Sequence, residues 1–171
     1  MTDRYKEKDY DYLLKLLMEG NIPLLEEARE IIDDFPNGVD PFIQRHWITN
    51  AIDVGSLTSI KWILSNGVDL TFRDEEGFTP LLSAIDREQP DKYEVLQLLI
   101  DGGAPIDRKG TNDWTPLHMA AVREDIEAMK VLLRNGADRN IRTNIDNYAT
   151  PLEEAKSMGR WKSVEFLQDA E

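Results

Sequence analysis

Two histidines are the only side chains of this 171-residue chain whose ordinary chemistry exchanges protons near neutral pH. His118 follows Thr115 in a Thr-Pro-Leu-His run, close enough for an imidazole to activate a hydroxyl. His46 stands by itself. Two isolated histidines and no cysteine cannot be assembled by spacing into a Ser-His-Asp, Cys-His or zinc constellation. The acidic pairs Glu26-Glu27, Asp33-Asp34, Glu75-Glu76 and Glu153-Glu154 could in principle do acid–base work or hold a divalent cation. Adjacent residues on a helix point in different directions, however, and none of these pairs fits a calcium-loop spacing. Gly102-Gly103 lacks the Lys-Ser or Lys-Thr of a phosphate loop, so a helix cap accounts for it. The expectation is a chain with no catalytic residue, no metal and no cofactor.

Composition narrows the partners. A formal net charge of −13 argues against a nucleic-acid backbone and favours a basic protein surface. The acidic excess lies before Asp113, whereas 115–149 is balanced. The absence of cysteine excludes disulfides and thiolate chemistry. The start of the chain lacks the apolar run of a secretory signal, and no stretch reaches the roughly 18 apolar residues of a membrane span. A cytoplasmic monomer without membrane or nucleic-acid contacts is expected.

Local rules predict the elements that carry these residues. Thr115 is a good N-cap and Pro116 a good first helical residue, so a short helix is expected from Pro116 to about Arg123. A second, from about Ile126 to Asn135, places Ile126, Met129, Leu132 and Leu133 on one face. Gly136 should end it in a left-handed conformation. His118 then lies inside a helix pair, and His46 becomes a helix-start residue.

The pair repeats. Thr79-Pro80-Leu81-Leu82, Thr115-Pro116-Leu117-His118 and Thr150-Pro151-Leu152-Glu153 share one frame, and Gly67, Gly103 and Gly136 follow in phase. His46–Asp69 overlays Thr115–Asp138 without a gap, pairing Ile48 with Leu117, Ala51 with Ala120, Ile60 with Met129 and Ile63 with Leu132. The copy from Thr79 carries extra residues at Glu88-Gln89-Pro90, and the connection from Arg139 to Ala149 is also longer. Both insertions fall where loops are expected. With the spacing near the roughly 33-residue period of that family, and the T-P-L-H-x-A run completed by Met119-Ala120, the chain resembles the ankyrin-repeat proteins.

The resemblance implies an all-α repeat solenoid of helix pairs joined by short β-hairpin fingers. It reads as one domain over 1–171, with a divergent N-terminal capping pair at 9–45, repeats at 46–78, 79–114 and 115–149, and a C-terminal capping repeat at 150–171. Stability should come from stacking, because such helices cannot bury their faces alone. Asp113 and Tyr148 stand where the family has a finger glycine, and Glu124 where it has an inter-helix glycine.

The resemblance also implies a function: binding a partner protein on the finger tips and first-helix face. Transferred by position, that face comprises Glu75, Glu76, Phe78, Asn112, Trp114, Asp146 and Tyr148 on the fingers, with Asp53, Asp86, Arg87, Val122 and Arg123 on the helices. Small stand-alone acidic proteins of this type resemble bacterial immunity proteins that neutralise a toxin. A scaffold or assembly factor is the alternative reading, and an enzyme a remote one.

Overall fold

The computed structural model describes residues 7–40, 43–145 and 148–169. They form ten α-helices and, among the described residues, no strand longer than an isolated bridge between Val39 and His46. The helices group into two compact units, 1–69 and 70–171, whose boundary falls inside the expected repeat 46–78, between its helices and its finger.

The first unit holds α1 (Glu7–Glu19), α2 (Ile22–Ile31), α3 (Trp47–Val54) and α4 (Leu57–Ser65). Leu13, Leu16 and Leu17 recur at helical spacing and are buried, as are Leu25 and Ala28 of α2. The N-terminal pair is therefore part of the packed unit. Ser59 Oγ donates to Leu17 O (2.6 Å), and Trp62 Nε1 donates to Glu26 (2.7 Å), tying α4 to both. Phe35 stands edge-on to Trp47 at 5.1 Å and fills the space under the connection to α3.

The second unit holds α5 (Pro80–Asp86), α6 (Lys92–Asp101), α7 (Pro116–Val122), α8 (Ile126–Arg134), α9 (Pro151–Ser157) and α10 (Trp161–Asp169). Thr79, Thr115 and Thr150 each cap the helix that follows, with Pro in the first turn. Leu81 and Ala84, Leu117 and Ala120, Leu96 and Leu99, and Met129 and Leu132 are all buried. These are the registers that the repeat alignment pairs. Each of these leucine and methionine side chains contributes about 1.5–3 kcal/mol when fully buried, so the faces of neighbouring helices hold the unit together.

Gly67, Gly103 and Gly136 take φ of 74°, 91° and 88°. At Gly136 the cap is complete: Gly136 N–H donates to Leu133 O (3.1 Å) and Ala137 N–H to Leu132 O (3.0 Å), satisfying two carbonyls the helix leaves open. A Cβ on Gly136 would meet nothing within 4 Å, so a substitution there tests the backbone alone. Gly136→Ala is expected to cost about 1–2 kcal/mol, read as a lower urea midpoint at unchanged slope. An unshifted midpoint would remove the capping role.

Candidate protein-binding face

Three fingers, each closed by one antiparallel backbone bond, precede α5, α7 and α9. In the first, Asp74 N–H donates to Phe78 O (2.9 Å) and Gly77 N–H to Asp74 O (3.0 Å), leaving Glu75 and Glu76 exposed at the tip. Gly77 is left-handed at φ 87°. In the second, Asn112 and Asp113 take φ 54° and 57°, and Trp114 N–H donates to Thr111 O (3.1 Å), the pattern of a tight hairpin turn. In the third, Thr143 N–H donates to Ala149 O (3.0 Å) and Tyr148 takes φ 50°. The fingers are thus hairpin turns without a strand ladder.

Gly77, Asp113 and Tyr148 stand in one register, and all three are left-handed. The two residues that replace the finger glycine keep its conformation. Glu124, at φ 54°, does the same at the α7–α8 turn. A non-glycine residue pays about 1–2 kcal/mol for this region, so something must hold each in place. For Asp113 the restraint is visible. Its carboxylate takes the Lys109 ammonium at 2.9 Å and the Asn144 N–H of the next finger. Burial alone would raise this carboxyl, but the Lys109 and Asn144 bonds outweigh it and hold the group below its usual range. Lys109 also donates to Arg142 O (2.7 Å), so the second and third fingers are pinned side by side.

The first and second fingers pack more closely still. A Cβ on Gly110 would run into Gly77 O and Leu82 Cδ1, which makes Gly110 obligatory for the approach. On the third finger Arg142 donates to both Tyr148 O (2.7 Å) and Glu153 Oε2 (2.6 Å). The Arg142 bonds hold the Glu153 carboxyl below its usual range.

The expected site residues separate into three groups. Glu75, Glu76, Asn112 and Tyr148 are exposed on the fingers, and Phe78 and Trp114 are half-buried behind the tips. Asp146 lies outside the described residues. Asp86 and Arg123 are exposed but paired with each other, and in the first unit Asp53 pairs with Arg45 at 2.5 Å. Arg87 and Val122 do not present a surface, contrary to expectation. Arg87 is 4% exposed because its guanidinium turns inward to Asp91, and Val122 is 8% exposed because the last turn of α7 faces the core. Their positions in the repeat matched surface positions of the family; the extended α5–α6 connection redirected the arginine.

His118 sits at 0% exposure, with Nε2 3.1 Å from Ala149 O and Nδ1 2.8 Å from Thr115 Oγ1. It closes the cap of α7 and reaches the third finger. His46 occupies the N-cap position of α3 without a side-chain capping bond. Among the described residues no cluster of three His, Cys, Asp or Glu could hold a metal ion, and no helix is long and apolar enough to cross a membrane.

A family model described as ankyrin repeats (3 copies) matches residues 48–143 and 91–171. The chain belongs to the ankyrin-repeat family. Among its relatives, the ankyrin repeat and KH domain-containing protein mask-1 of Caenorhabditis elegans is 37% identical over 53% of this chain and 3% of its own length. Alpha-latrotoxin-Lg1a of Latrodectus geometricus is 30% identical over 71% of this chain and 9% of its own. The candidate E3 ubiquitin-protein ligase XBAT35 of Arabidopsis thaliana is 34% identical over 63% and 23%. The chain therefore spans less than a quarter of each of these relatives. Ankyrin repeats mediate protein–protein interaction, and on the finger face Glu75 and Glu76, exposed and without a side-chain partner among the described residues, precede the half-buried Phe78.

One surface escaped the sequence reading. Trp161, at the start of α10, is 66% exposed, the most open large apolar side chain in the ankyrin repeats described. It stands in the register of Tyr93 and Ile126. That repeat position was legible, but the lack of a cover was not.

Proposed function

We propose that this ankyrin chain acts by binding alone, taking a basic protein surface on the fingers of residues 70–171. Glu75 and Glu76 supply charge. Tyr148, with the open edges of Phe78 and Trp114, supplies apolar anchors, and Asn112 borders them; Asp146 adds a further acid by its place in the sequence. Asp86 and Arg123 exchange their mutual pair for partner contacts, while Asp53 belongs to the binding face of the first unit. The observation that carries this reading is Tyr148: a large aromatic, 61% exposed, held in a conformation that favours glycine. Strain retained under an exposed aromatic points to selection for the side chain rather than for stability.

The sharper form of the reading is an immunity-type inhibitor that covers the working surface of a cognate basic toxin. A scaffold is the second form, and a catalytic role has no place in either. Capture of a partner from the source organism, followed by kinetics on the purified pair, tests it. Tyr148→Gly removes both the anchor and the strain, so the melting temperature should hold or rise while affinity falls by roughly thirtyfold, the equivalent of about 2 kcal/mol. Reversing Glu75 and Glu76 to lysine should slow association at low salt and leave dissociation nearly unchanged. Unchanged affinity in both variants would move the partner to another face. Rescue of growth on co-expression with the captured protein distinguishes the inhibitor from the scaffold.

A further inference from the structure

The end of the first helices opposite the fingers carries a second surface of different character. A cleft of about 620 Å³ opens among Lys92 and Tyr93 of α6, the α7–α8 turn and Arg160. Most of its charges are already committed. Lys92 Nζ pairs with Asp125 at 2.7 Å, Arg123 pairs with Asp86, and Glu127 pairs with Lys130 at 2.6 Å. Glu124 accepts the Lys162 N–H at 3.0 Å. Arg160 differs: its guanidinium has no hydrogen-bond or ion-pair partner among the described residues. Around it, from Lys156 to Lys162, the chain carries three cations and no acid, in a protein of net charge −13. None of those three side chains has a partner among the described residues. Trp161, 66% exposed, and the exposed Met158 lie in the same turn.

We propose that this turn and its cleft bind an acidic polypeptide segment, a carboxylate seated on Arg160 and an adjacent apolar side chain on Trp161. The charges left without a counter-charge decide the sign of the partner: Lys156, Arg160 and Lys162 outnumber Glu124, whose carboxylate meets only a backbone N–H, and repel a basic segment. The guanidinium fork accepts a carboxylate through two parallel N–H bonds, and an open indole offers the apolar area that interface anchors need. Because the chain as a whole repels acidic molecules at long range, the apolar contact is required for affinity. This site does not depend on the finger reading. With both, the chain would join a basic partner to an acidic one.

Selection of a random-peptide display library on the intact chain tests the proposal. The expected result is a family of acid-rich peptides with an apolar residue, binding roughly tenfold or more weakly to Arg160→Glu and to Trp161→Ala and undiminished by Tyr148→Gly. Thermal melts of each variant show that the fold is intact, and Arg160→Lys should restore part of the affinity by keeping the charge without the fork. A selection that yields no acid-rich peptide, or acid-rich peptides that bind Arg160→Glu and Trp161→Ala as well as the parent, would overturn it. So would concentration-dependent self-association in sedimentation that Trp161→Ala abolishes, since a second copy would then occupy the turn.

Discussion

His118→Ala is expected to lower unfolding free energy by about 3 kcal/mol, one of the two largest losses foreseen for a single side chain here. Three terms add. The imidazole is fully buried, so its removal leaves a cavity. Thr115 N–H, which donates to His118 Nδ1 at 3.3 Å, is left without that acceptor inside the cap of α7. The bond from Nε2 to Ala149 O disappears, although that carbonyl keeps Thr143 N–H at 3.0 Å, so this third term is the smallest. Because Nδ1 accepts from a backbone N–H, the proton resides on Nε2, and the imidazole is neutral in the fold. His118→Gln, which can still reach Ala149 O, should recover part of the loss. Equal stability of parent and alanine variant in urea would remove the histidine from the framework.

The same residue fixes a pH signature. Burial lowers the His118 pKa, and the bond to Ala149 O pulls against that shift without reversing it. Above about pH 6.5 the imidazole is neutral both folded and unfolded, and its contribution is complete. As the pH falls below that value the unfolded chain takes up a proton that the folded chain resists, so stability declines by at most about 1.4 kcal/mol per pH unit until the folded pKa is passed. The difference between parent and His118→Ala should therefore shrink on acidification and stay level above neutrality. A difference that grows as the pH falls would contradict the neutral assignment.

How far the sequence carries can be judged register by register. Caps and periods were legible because they are local: Thr115 and Pro116 start a helix, and Gly136 ends it, by rules that act within a few residues. The left-handed Asp113, Glu124 and Tyr148 were legible as missing glycines, although what restrains them was not; Asp113 depends on Asn144, a residue of another finger. Arg87, Arg123 and Met158 share one repeat position and meet three fates. The first is buried on Asp91, the second is paired at the surface with Asp86, and the third is exposed without a charge. Position in a repeat specifies where the backbone goes. The direction of a long side chain depends on the connection beside it, and the Glu88-Gln89-Pro90 insertion changes that connection for one copy only.

Asp91→Ala should consequently cost about 3 kcal/mol, far more than its partly exposed position suggests. The Arg87 side chain is 1% exposed, and Asp91 takes its Nε at 2.8 Å and its Nη2 at 3.0 Å in a two-bond clamp across the insertion. Removing the carboxylate takes the two-bond counter-charge from a buried cation, a loss that reaches about 3–5 kcal/mol for a fully enclosed pair and stands at the low end here because Asp91 is 25% exposed. Arg87→Met removes the charge that needs a partner and keeps most of the buried volume, so its cost should be nearer 1 kcal/mol. A double-mutant cycle makes the asymmetry measurable: the alanine at Asp91 should do little further harm once Arg87 is methionine. Additive losses, or a mild Asp91→Ala, would show that other contacts hold the guanidinium. The expected asymmetry explains how one repeat accommodates extra residues between its helices. The inserted connection is bridged by an ion pair whose arginine has its repeat counterpart, Arg123, at the surface.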